Sequence, residues 1–205
     1  MQLWKNLRPV SLLMACLWVS AAVPLAAQTP RIQWTRQFGA NQFDQAHAVG
    51  YGEFGVYTAG DAMGEFPGQT SAGNMDAFIS LHDESGNLKW VRQFGTEADD
   101  VATGVAGDGS GAYVVGYTGG SFGSQIGAVD SFIRKYDPDG NVLWTHQFGT
   151  VVDDFALGVA THTSGVYVVG GIDCCGATLP GSPGTVSGDG YIRKYNGDGT
   201  ELWTR

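Results

Sequence analysis

The chain has 205 residues, 43% of them hydrophobic and 15% charged, and its 20 acidic and 11 basic side chains give a formal net charge of −9. That balance disfavours nucleic acid and anionic lipid as partners and suits solubility or cation binding. Glycine fills 32 positions, about twice its usual share, and with this hydrophobic content the composition suits a turn-dense β fold better than disorder.

The first predicted element is a leader. Lys5 and Arg8 precede an apolar stretch running to Ala27, and the small pair Ala26-Ala27 offers a cleavage site before Gln28. Pro24 interrupts the stretch, which fits a signal peptide over 1–27 better than a membrane span. Leu13-Met14-Ala15-Cys16 resembles a lipobox that would place a lipid on Cys16, but the apolar run continues past it. The expectation is an extracytoplasmic protein, and losing Lys5 and Arg8 would leave it more acidic still.

Beyond the leader one motif returns. Trp34, Trp90, Trp144 and Trp203 stand 56, 54 and 59 residues apart, and the first three run into Gln37-Phe38-Gly39, Gln93-Phe94-Gly95 and Gln147-Phe148-Gly149. A period this long marks a tandem array of supersecondary units. The predicted organisation is an orphan outer strand in 28–39, then units at 40–95, 96–149 and 150–205. In register across the units are Asp44, Asp100 and Asp154; Asp76, Asp130 and Asp189; and Gly86, Gly140 and Gly199. A residue repeated in every unit serves the unit, so specific function is expected where units differ.

Each unit reads as four short strands. In the middle unit they are Val101–Gly107, Ala112–Thr118, Ser131–Tyr136 and Asn141–Phe148, rich in β-branched and aromatic residues. Small residues (Ala102, Gly104, Ala106) mark the first strand and large aromatics the last two, a gradient that suits a wedge-shaped propeller blade. Asp137-Pro138-Asp139-Gly140 reads as a tight turn, with Pro in its second position and Gly free to take positive φ. Asp83-Glu84-Ser85-Gly86 and Asn196-Gly197-Asp198-Gly199 are its counterparts.

The phrases Trp144-Thr145-His146-Gln147-Phe148-Gly149, Asp153-Asp154-Phe155-Ala156-Leu157-Gly158-Val159-Ala160 and Asp130-Ser131-Phe132-Ile133-Arg134-Lys135-Tyr136-Asp137 resemble the SBBP repeat, the bacterial seven-bladed β-propeller repeat. The resemblance covers about residues 32–205. It implies a bacterial propeller that is secreted, periplasmic or at the cell surface, and it brings no common catalytic residues. Propellers close with about four to eight blades. Three units plus an orphan strand therefore suggest either part of a longer protein that supplies further blades, or a ring completed by self-association.

Several residues invite chemical readings. Adjacent Cys174-Cys175 would form a loop staple or vicinal disulfide, with a ligand contact as the alternative. A vicinal pair also occurs in quinoprotein alcohol dehydrogenases, but Asp137–Trp144 lacks the Thr of their repeat motif and is one residue short. No cofactor is predicted, with calcium held by Asp137, Asp139 and Asn141 as the one alternative. The repeated aspartates read as turn and backbone caps. His47, His82, His146 and His162 occupy four different repeat positions and form no constellation, so the chain reads as noncatalytic. What differs between units are the loops 61–75, 119–129 and 172–188, where Phe66, Phe122 and Leu179 would either anchor a protein or glycan ligand or pin the loop.

Overall fold

Each predicted unit becomes one four-stranded antiparallel sheet. The computed structural model describes residues 32–173, 179 and 188–205; the leader, Cys16 and Cys174-Cys175 lie outside them. Sheet 1 comprises β1 (Asp44–Gly52), β2 (Gly55–Ala62), β3 (Asp76–His82) and β4 (Leu88–Phe94). Sheet 2 comprises β5 (Asp100–Asp108), β6 (Gly111–Thr118), β7 (Asp130–Tyr136) and β8 (Val142–Phe148). Sheet 3 comprises β9 (Asp154–His162), β10 (Gly165–Ile172), β11 (Gly190–Tyr195) and β12 (Glu201–Thr204). In each sheet, neighbours in sequence are neighbours in space, and no helix occurs among the described residues.

The sheets bury their faces against one another. Tyr57, Ala59, Ile79, Leu81 and Phe94 of sheet 1 meet Val105, Val114, Phe132 and Tyr136 of sheet 2 in one apolar cluster. The next cluster joins Tyr113, Val115, Ile133 and Phe148 of sheet 2 to Ala156, Val166, Val168, Tyr191 and Tyr195 of sheet 3. Alanine and glycine alternate along the first strand of each sheet (Ala46, Ala48, Gly50; Ala102, Gly104, Ala106; Ala156, Gly158, Ala160), and neighbouring backbones approach there. A Cβ on Gly104 would lie 3.1 Å from Gly158 Cα, and one on Gly107 would lie 2.9 Å from Gly52 Cα.

The recurring tryptophan crosses from one sheet to the next. Trp90 Nε1 donates to Pro138 O (2.9 Å) and Trp144 Nε1 to Gly197 O (3.3 Å), in each case in the turn of the following sheet. The same turn's glycine lies under the indole: a Cβ on Gly140 would stand 2.9 Å from Trp90 Cδ2, and one on Gly199 2.9 Å from Trp144 Cδ2. Both glycines have positive φ, 79° and 86°. They are therefore required twice, for backbone conformation and for the ring above them. Arg92 adds bonds from Nε to Gly140 O (2.8 Å) and from Nη2 to Asp139 O (3.0 Å).

The expected orphan strand differs from the prediction. Residues 32–43 pair with no strand, yet Trp34 Nε1 donates to Glu84 O (2.9 Å) and Arg36 Nη2 to Ser85 O (3.1 Å). Phe38 packs on Phe78 at 6.0 Å. Side-chain contacts to sheet 1 thus seat this segment as an outer strand would be seated, without a ladder among the described residues.

Gly68 provides an internal reference, because its φ is +77° and a Cβ added there would meet nothing within 4 Å. Gly68→Ala is expected to cost about 1 kcal/mol for the left-handed backbone alone. Gly140→Ala should cost clearly more in urea unfolding, since it also displaces Trp90. Equal costs would show that the indole contact adds nothing.

Candidate functional site at the loop-bearing end

In sheets 1 and 2 the long loops leave the second strand and return at the third, at the end where Gln-Phe-Gly also leaves the fourth. The repeated Gln and Asp hold them there. Gln93 accepts from Phe66 N (3.0 Å) and donates to Gly64 O (2.7 Å) and Asp76 Oδ2 (3.0 Å). Asp76 also accepts from Ala72 N (2.8 Å) and Gly73 N (3.2 Å). In sheet 2 the clamp recurs: Gln147 binds Phe122 N (2.7 Å), Gly120 O (2.9 Å) and Asp130 Oδ2 (2.8 Å), and Asp130 accepts from Ile126 N and Gly127 N. The first-strand aspartates fix the connectors between sheets. Asp100 Oδ2 accepts from Thr96 N (2.6 Å) and Thr96 Oγ1 (2.9 Å), and Asp154 Oδ2 accepts from the same two atoms of Thr150 (2.6 and 3.0 Å). Asp44 does so more simply, from Ala40 N (2.7 Å).

Glycine of Gln-Phe-Gly is needed because two carboxylates crowd it. A Cβ on Gly95 would meet Asp76 Oδ1 at 2.2 Å and Asp100 Oδ2 at 2.8 Å, and Gly149 stands likewise between Asp130 and Asp154. Asp76, Asp100, Asp130 and Asp154 are fully buried. Burial pushes the Asp100 and Asp154 carboxyls above the ordinary value of 3.8, and the negative charge of Asp76 or Asp130 adds to the rise. Turn aspartates behave oppositely. Bonds from Asn87 and Ser85 hold Asp83 below that value, and bonds from Asn141, Asp139 and Gly140 do so for Asp137.

Of the two readings open for the loop hydrophobics, ligand anchor or loop pin, the packing favours the pin. Phe66 is 3% exposed and packs on Phe78 at 5.1 Å; Leu179 is 1% exposed within the core between sheets 2 and 3. Phe122 lies on Phe132 at 5.4 Å with the Arg134 guanidinium 4.7 Å from its ring. Phe66 and Phe122 thus pin the first two loops, whose polar and small residues lie outward. Ala72, Gly95, Thr96, Glu97, Ala98, Gly120 and Ser121 line a shallow pocket of about 460 Å³ between the first two loops. A second groove, of about 440 Å³, lies at the opposite end between sheets 2 and 3 and includes Asp108, Tyr113 and His162.

Asp137 has both oxygens engaged within its own turn, accepting from Asp139 N, Asn141 N and Asn141 Nδ2. Among the described residues, no group of three His, Cys, Asp or Glu side chains is placed to hold a metal ion. Asp189 lies between the third loop and β11 and has a partner. Sequence spacing missed one pair: His47 Nε2 and Asp61 Oδ1 are in hydrogen-bond contact. Both depart from the repeat, since the other units have Thr103 and Leu157 in place of His47, and Tyr117 and Gly171 in place of Asp61. That divergence was the available signal. His47 sits at the irregularity between Ala46 and Ala48 in the β1–β2 register, and the bulge turns its ring toward Asp61.

No family model matches this chain. Regulatory protein FlaEY of Caulobacter vibrioides is 33% identical over 159 residues, which amount to 70% of this chain and 16% of that protein. The chain thus spans a small part of the length of this curated relative.

Asp154 gives a pH prediction. Its folded value is raised, so the stability it contributes is full below about 3.8 and is lost as pH rises through the folded value. Asp154→Asn keeps a carbonyl acceptor for Thr150 and removes the titration. Its stability relative to wild type is expected to improve between about pH 4 and pH 7 in urea unfolding; a decline over that range would contradict burial as the dominant cause. Gln93→Ala should free the first loop at a cost of about 1–3 kcal/mol, with faster amide exchange at Phe66.

Proposed function

We propose that this chain is a noncatalytic, extracytoplasmic repeat scaffold of the SBBP type. Its three sheets are consecutive blades of a β-propeller, and it binds a protein or glycan at the loop-bearing end. One observation carries the reading: invariant Gln and Asp side chains clamp loops whose outward residues differ from sheet to sheet. A rigid frame that presents variable polar loops is the arrangement by which scaffolds diversify binding without altering the fold. The shallow pocket beside Thr96, Glu97 and Ser121 has hydroxyls, a carboxylate and small walls, which suit a sugar ring or a peptide turn better than an apolar cofactor. The relative's name, a regulatory protein, accords with recognition as the task of the shared segment.

The test exchanges the outward residues of loops 62–75 and 119–129 while keeping Phe66, Phe122 and the aspartate caps. Binding is measured on a glycan array and against purified cell-envelope proteins. Affinity for a partner is expected to fall at least about tenfold, or about 1.4 kcal/mol, with unfolding unchanged. Retention of every partner at full affinity would remove the loop end as the site. A quinone or stoichiometric metal in the purified protein, seen by absorbance or elemental analysis, would overturn the noncatalytic reading.

A further inference from the structure

The junction between sheets 2 and 3 departs from the one between sheets 1 and 2 at two positions of the repeat. In sheet 1 the turn between the first two strands carries Phe54, which packs against the apolar cluster that holds Leu81 of β3. Their equivalents in sheet 2 are Ser110 and Lys135. A ring is thus replaced by a hydroxyl and a pair of methyls by an ammonium. At this junction a groove of about 440 Å³ opens at the end away from the long loops. The tyrosine of the second strand changes its bonding too. Tyr57 Oη has no hydrogen-bond partner among the described residues, whereas Tyr113 Oη accepts from Lys135 Nζ (2.8 Å).

Lys135 is 5% exposed and has no ion-pair partner among the described residues. Its ammonium meets only neutral groups: Tyr113 Oη, Gly197 O (3.2 Å) and the Tyr113 ring, whose centroid is 4.7 Å away. Two of its three N–H donors are used, and its charge is left unbalanced. Tyr113 and Gly197 both line the groove, so the ammonium stands at its wall. The other lining groups add donors and acceptors. Ser164 N donates to His162 Nδ1 (3.2 Å), which puts the imidazole proton on Nε2, where it has no acceptor among the described residues. Asp108 spends Oδ1 on Ser110 N (2.7 Å) and Ser110 Oγ (2.6 Å), leaving Oδ2 to accept. Thr161 Oγ1 donates to Gly107 O (3.0 Å) and retains its own lone pairs.

We propose that this groove binds a small hydroxylated carboxylate of the sugar-acid class. The ligand carboxylate pairs with the Lys135 ammonium and accepts from His162 Nε2–H, supplying the counter-charge that the protein lacks there. Ligand hydroxyls donate to Asp108 Oδ2 and Thr161 Oγ1. A volume of this order suits one small molecule. The site lies at the opposite end from the long loops and does not rest on the binding proposed for them.

The test titrates glucuronate, glucose and acetate into the nitrogen-15-labelled chain and follows the amide signals of Ser110, His162 and Gly197. Glucuronate is expected to move all three to saturation, with glucose and acetate each at least about tenfold weaker, because one lacks the charge and the other the hydroxyls. Lys135→Leu, which installs the residue of sheet 1, should weaken glucuronate about tenfold or more. That change also removes the bond to Gly197 O, so Ser110→Phe is its companion. It returns the ring found at the first junction, and should abolish the shifts while the unfolding midpoint is kept or raised. No shift with glucuronate at about 10 mM, equal affinity for glucose or acetate, or full binding by either variant would each overturn the proposal. A free sugar acid and the terminal uronate of a glycan share this chemistry. Tighter binding of a glucuronate-terminated disaccharide than of the monosaccharide supports the proposal with a glycan as the source, and the reverse order supports it with the free acid. Exchange of the long loops leaves glucuronate binding unchanged, so failure here and failure at the loop end are separable.

Discussion

The Trp90 indole rests on Gly140 and donates to the Pro138 carbonyl, so its ring fits only where the next turn has no side chain and a free acceptor. Most of the repeat follows from this contact. It demands glycine with positive φ, and that glycine closes the hairpin through a bond from Gly140 N to Asp137 O (3.1 Å). The Asp137 carboxylate stiffens the same turn. Tyr57 and Tyr136 fill the two sides of the indole, at 6.1 and 6.2 Å, so one side chain joins the cores of two sheets. In an array whose units touch only their neighbours, such junctions couple the folding of one unit to the next.

At the other end of the sheets the recurring residues serve exposure. Gln93, Asp76 and Asp100 are buried or half-buried, and their bonds fix loop backbone whose own side chains vary. Burial, and after it the nearby charge of Asp76, raises the energy of the charged Asp100 carboxylate, and the bonds it accepts from Thr96 offset part of that rise. Val49 illustrates how strongly position in the array decides burial. It is 71% exposed, whereas the equivalent Val105 is 7% exposed because sheet 1 covers it. Burying a side chain of this kind contributes about 1.5–3 kcal/mol, so identical residues have unequal weight in different units.

Much of this was legible in the sequence, and for physical reasons. The β-branched and aromatic runs between Gly and Asp clusters indicated four strands per unit and placed those of the middle unit, since alternation and turn chemistry are local properties. The middle-unit boundaries shifted by a residue where hydrogen bonds begin before the hydrophobic pattern does, as at Asp100 and Asp130. The roles of Gln93 and Gln147 were not legible, because their partners lie 17 to 29 residues away. His47 and Asp61 escaped for a related reason: their contact depends on a bulge, which no spacing rule encodes. The burial of Phe66 and Leu179 was open in the sequence and was decided only by packing.

The indole contacts make the three sheets one cooperative body, and native-state hydrogen exchange of Trp90→Ala across a denaturant series tests this most directly. Sheet 1 amides are expected to open at a lower free energy than those of sheets 2 and 3, which open together in the variant as all three do in wild type. A variant in which all three sheets still exchange through a single opening of undiminished free energy would contradict that coupling.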